Sequence, residues 1–100
     1  MTTTHNALTP GEVERLAMLA EECGEVIQMV GKMLRHGYDS HHPSDPAVSN
    51  RLLLTRELVD LESVVRAMVR HGEIYDPQGQ DIPAAWKKKL RFAHYQESDK

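Results

Sequence analysis

The sequence contains one cysteine, Cys23, in 100 residues. A lone thiol excludes an internal disulfide framework and a cysteine-based zinc site. No apolar run approaches the ~18 residues needed for a membrane span. There is no basic excess either: 12 Lys and Arg stand against 15 Asp and Glu, a net charge of −3. That excludes the strongly basic footprint of a nucleic-acid binder. The opening MTTTHN has neither the basic start nor the apolar core of a signal peptide. Strand alternation, internal repeats and low-complexity tracts are also missing. The expectation is one domain over residues 1–100, working in a reducing, cytoplasmic compartment without membrane or nucleic-acid partners. Leu, Ile, Val and Phe supply 22 residues, above the ~20% line below which disorder is expected.

What is present is helical. Thr9, Pro10 and Glu12 form an N-cap, a first-turn proline and a capping box. They predict a first helix from residue 10 to 35 or 36, stopped by Gly37. Val13, Leu16, Ala20, Cys23, Ile27, Val30 and Leu34 recur at steps of three and four, one seam of a helix bundle. Cys23 lies in that seam and is read as a small buried thiol. After a polar loop, Asp45–Pro46 resembles a second helix start, giving a helix over 46–70 with His71–Gly72 as its exit. A loop over 73–80 follows, then a shorter helix from about 83 to 95, with 97–100 frayed. The fold class is therefore all-α: two long antiparallel helices and a shorter C-terminal one. Two rods of about 25 residues cannot cover each other fully, so oligomerisation is expected to complete a four-helix-bundle core.

The chemistry sits in two acid pairs. The first helix carries Glu21, Glu22 and Glu25, and the second carries Glu57 and Asp60. An i, i+3 spacing puts Glu22 beside Glu25 and Glu57 beside Asp60, where like charges repel. On helical wheels Glu57 and Asp60 fall among Leu53, Val64, Ala67 and Met68, whereas Arg51, Glu62, Arg66 and Arg70 take the solvent side. Glu22 and Glu25 share a face with Met18 and Met29, away from the heptad seam. Carboxylates on apolar faces must be paired, protonated or bound to a metal. Oxygen donors from two antiparallel helices suit a hard ion, Mg²⁺ or Mn²⁺.

Glu22-x-x-Glu25 followed by Glu57-x-x-Asp60 resembles the E-x-x-E…E-x-x-D signature of the MazG-like all-α nucleoside triphosphate pyrophosphohydrolases and dimeric dUTPases. The Glu21–Glu22 doublet, Gly24, Lys32 and the run Glu57-Leu58-Val59-Asp60-Leu61 are similar to that family too, as is His71-Gly72-Glu73-Ile74. The likeness covers about residues 12–95. The 31 residues between Glu25 and Glu57 exceed the family's usual interval and fit a longer loop around His41–His42–Pro43. The resemblance implies Mg²⁺-dependent cleavage of a nucleoside triphosphate between its α and β phosphates, in a dimer or tetramer. Glu22, Glu25, Glu57 and Asp60 would be the metal ligands, and Glu21 would orient or deprotonate the attacking water. Lys32 is the leading candidate for holding phosphate; Lys88 and Arg91, with Lys87 and Lys89, are weaker ones, and Trp86 is a candidate for stacking on the base. His41 and His42 read as exposed loop residues, and His36, His71 and His94 as helix-end or surface residues. Two alternatives stand beside this. One is a non-catalytic dimerisation or regulatory module whose acids pair with Arg51, Arg56 and Arg66 between subunits. The other is a specialised enzyme acting on dUTP or phosphoribosyl-ATP.

Overall fold

A computed structural model describes residues 6–96. The expected frayed end, 97–100, lies outside the described residues. The first helix, α1, spans Pro10–His36, as its local signals predict. The Thr9 hydroxyl accepts from the Glu12 amide at 3.2 Å, and the Glu12 carboxylate accepts from the Thr9 amide at 2.8 Å. Gly37, at φ 81°, ends the helix in a conformation that only glycine adopts without strain.

The second helix, α2, spans Asn50–Arg70 and begins four residues later than Asp45–Pro46 suggested. The prolines start turns instead of a helix. The Asp45 amide donates to the His42 carbonyl and the Val48 amide to the Asp45 carbonyl, so Pro43 and Pro46 each occupy the second position of a β-turn. Ser49 then caps α2 by accepting from the Leu52 amide. His41 and Ser49 form an isolated antiparallel bridge, and no strand occurs among the described residues. The buried Asn50 donates to the Gly37 carbonyl at 3.0 Å, tying the start of α2 to the end of α1.

At the opposite end, Arg15 grips Glu73 with Nε donating at 2.8 and 2.9 Å. These two ties make the pair antiparallel. Their shared face is Leu19, Glu22, Val26, Met29 and Met33 from α1 against Leu53, Glu57, Leu61, Val64 and Met68 from α2, all half-buried or buried. Only Met29, Val64 and Met68 among the described hydrophobic residues are buried.

The third helix, α3, is Ile82–Lys89, followed by a 3-10 turn over Leu90–Phe92. It is shorter than the 83–95 expected. Asp81 caps it, and it packs mainly on the following turn rather than on the hairpin. A helix of eight residues without a packing partner has nothing to extend it against its nucleation cost.

The seam is turned outward. Ile27 is 71% exposed and Leu34 83%, and Val13, Leu16 and Val30 are each over 40% exposed. Cys23, expected to be buried, is exposed in the single chain. Of the two apolar faces of α1, the acid-bearing one is turned towards α2. The surface is 8215 Å², against about 5,800 Å² for a compact monomer of 11.4 kDa by surface-to-mass scaling. The radius of gyration is 17.5 Å, where a compact 100-residue domain has about 13 Å. Among the described residues, no helix is long and apolar enough to cross a membrane.

Candidate metal centre

Midway along the hairpin, α1 contributes Glu22 and α2 contributes Glu57 and Asp60. One carboxylate oxygen from each lies within 4.8 Å of the others. Helix geometry explains the convergence. Glu57 and Asp60 are one turn apart on α2, and Glu22 belongs to the α1 row that faces them, two turns before Met29. Glu22 and Glu57 are half-buried at the helix contact. Asp60 stands exposed at its edge, less inward than the wheel suggested.

The electrostatics are those of unrelieved like charge. Burial pushes the Glu22 carboxyl above its ordinary value, and Asp60, Glu21, Glu25 and Glu57 push it the same way. Among the described residues no Lys or Arg forms a salt bridge with Glu22, Glu57 or Asp60. Two of the helix-two arginines are engaged elsewhere. Arg51 meets Asp39 at 3.2 Å. Arg66, expected on the solvent side, is half-buried, with two nitrogens donating to Asp76 at 2.6 and 2.9 Å.

The donor set fits a hard divalent ion. Around an octahedral Mg²⁺ with ~2.1 Å bonds, cis oxygens stand about 3.0 Å apart and trans oxygens about 4.2 Å. Three donors include at least two cis pairs, so oxygens within 4.8 Å of one another reach a shared ion by closing in by up to about 1.8 Å, a side-chain rotation for exposed or half-exposed carboxylates.

The remaining candidates are distributed differently. Glu25 is exposed one turn along α1, outside the three-carboxylate group but near enough to act on Glu22. Glu21 is exposed beside Glu22 and also raises its pKa. Lys32 does not join the acids; it lines a cleft nearer the 37–49 loop. Trp86 is 54% exposed and Lys88 and Arg91 are exposed, on a segment that packs mainly on itself and not on the hairpin. That same cleft contains His36, His41 and His42, which the sequence alone reads as helix-end or exposed residues, and Arg35, to which it gives no role. Their only local signal is the i, i+3, i+4 spacing of Lys32, Arg35 and His36 on one face of α1.

No protein-family model matches the chain, and no curated protein or solved structure matches it significantly.

Proposed function

We propose that the chain is a Mg²⁺- or Mn²⁺-dependent nucleoside triphosphate pyrophosphohydrolase, releasing a nucleoside monophosphate and pyrophosphate. The observation that carries this is the meeting of Glu22, Glu57 and Asp60 from two helices without a neutralising cation. Such a group repels a polyphosphate on its own. A bound divalent ion would offset most of the charge of the three carboxylates, and it would lower the pKa of an attacking water.

The chain's residues take the following parts. Glu22, Glu57 and Asp60 hold the ion, and Glu25 is the fourth donor within one turn. Glu21 orients the water or accepts its proton. Water oxygen bonds to the α phosphorus while the bridging bond towards the β phosphorus breaks. The bond's electron pair leaves on pyrophosphate. Lys32 supplies positive charge on the phosphate side.

The active form is proposed to be a homo-oligomer, a dimer or tetramer, closed over the outward seam of α1. The exposed stripe and the surface excess of about 2,400 Å² over a compact monomer support it. An obligate interface buries about 2,000 Å² or more over both subunits, about 1,000 Å² from each, which is within that excess per chain. A non-catalytic module held by inter-subunit salt bridges fits less well, because two of its three arginines, Arg51 and Arg66, already have acids within the chain and only Arg56 has no salt bridge among the described residues.

The test is a screen of canonical and damaged nucleoside triphosphates, including dUTP and phosphoribosyl-ATP, with and without Mg²⁺. Metal-dependent release of monophosphate and pyrophosphate is expected from at least one. Release of orthophosphate instead, or turnover indifferent to metal, contradicts the assignment.

A further inference from the structure

At the loop end of the hairpin, a cleft of about 340 Å³ opens between the last turns of α1, the 37–49 loop and the first turns of α2. Lys32, Arg35, His36, His41 and His42 line it, and no carboxylate does. In a chain of net charge −3, this is a local concentration of positive and hydrogen-donating groups. Among the described residues, Lys32 and Arg35 take part in no salt bridge. The neighbouring acid Asp39 is occupied by Arg51, which also stacks over the Tyr38 ring at 4.8 Å.

The loop that forms one wall is held in place. The Asn50 amide donates to the Ser40 carbonyl and the Arg51 amide to the Tyr38 carbonyl, both at 2.8 Å. These bonds consume the first amides of α2, so an anion in the cleft depends on side chains and not on the helix terminus. The Ser44 amide donates to His42 Nδ1 at 3.1 Å. With that nitrogen accepting, the neutral His42 ring carries its proton on Nε2 and is a donor without being charged.

The cleft and the acid group are neighbours. Leu53, at the cleft, precedes Glu57 by one turn, about 6 Å along the axis; Lys32, whose long side chain spans part of the gap, follows Glu22 by ten residues, about 15 Å. A single phosphate chain can lie from one to the other. We infer that the cleft binds the β and γ phosphates of the nucleotide and releases them as pyrophosphate. Arg35 and His42 serve as anion-binding residues beside Lys32. The inference rests on the pyrophosphohydrolase reading of the acid group, and assigns that site its polyphosphate end.

The experiment is calorimetric titration of the full chain with inorganic pyrophosphate in Mg²⁺, for the parent and for Arg35→Ala, Arg35→Gln and His42→Ala. Arg35 and His42 are exposed and outside the core, and circular dichroism checks that each variant folds. Each substitution is expected to weaken pyrophosphate binding about tenfold, the loss of one charge-assisted or well-aligned hydrogen bond. The Mg²⁺-induced rise in thermal midpoint, read without pyrophosphate, should stay at the parent value. Pyrophosphate binding that is absent in the parent, or equal in parent and variants, overturns the cleft assignment. The acid-group reading fails by a different sign, a midpoint that ignores Mg²⁺ in every protein.

Discussion

Replacing Ile27 by Glu tests what covers the outward face of α1. Ile27 is 71% exposed in the single chain, and surface substitutions away from special features usually change stability by no more than about 0.5 kcal/mol. A monomer should therefore ignore the change. In a two-fold oligomer closed over the seam, each subunit contributes its own Ile27 to the interface. Burying an Ile side chain is worth about 1.5–3 kcal/mol. Scaled by the exposed fraction and counted twice, the lost burial is about 2–4 kcal/mol, before any cost of desolvating the carboxylates. At ~1.4 kcal/mol per tenfold, association weakens about 30- to 700-fold. Light scattering over a concentration series measures this directly, with circular dichroism to confirm that helix content is kept. A parent that is monomeric at micromolar concentration refutes the reasoning. So does an Ile27→Glu variant with the parent's association constant.

Further outcomes follow from the same contacts. The Cys23 thiol, exposed in the single chain but in the seam, should react with a thiol reagent more slowly as protein concentration rises; a rate independent of concentration contradicts burial in an interface. Ser49→Ala removes the cap of α2 and should cost about 1 kcal/mol, lowering the thermal midpoint by roughly 4–8 °C. Arg66 and the Gln78 amide hold the Asp76 carboxyl down to about 2 from 3.8. Its stabilisation is present above pH 3.8 and is lost as pH falls towards 2. Glu73, lowered by Arg15, acts in the same direction, while Glu22, raised, acts in the opposite one. An Asp76→Asn variant should be less stable than the parent at neutral pH, and the gap should close in acid titrations of the midpoint.

The first helix was legible because its signals are local: Thr9, Pro10 and Glu12 at one end and Gly37 at the other settle both boundaries. The start of the second was not. Pro46 suits the first turn of a helix and the second position of a β-turn equally well, and the choice is made by partners far along the chain, the His41–Ser49 bridge and the Asn50 bond to Gly37. Periodicity revealed two apolar faces on α1 but not which one α2 covers. Met29 is buried while Val30, one residue on, is 41% exposed. The meeting of Glu22 with Glu57 and Asp60 was readable from spacing and wheel position. Glu25 was grouped with them because i, i+3 neighbours share a face, yet the ~60° by which they differ leaves Glu25 outside the group. The Arg15–Glu73 tie joins residues 58 apart and has no local signature at all.

The most direct measurement of the metal-centre claim is the thermal midpoint of the parent and of Glu57→Gln and Asp60→Asn, each without metal and with millimolar Mg²⁺ or Mn²⁺. The parent should gain about 1.4 kcal/mol at ten times the dissociation constant, a rise of several degrees. The two variants should gain little from metal, and their metal-free midpoints should equal or exceed the parent's, because each amide removes a charge from a mutually repelling group. A parent indifferent to metal, or variants clearly destabilised without it, would mean that the three carboxylates are structural and contradict the account.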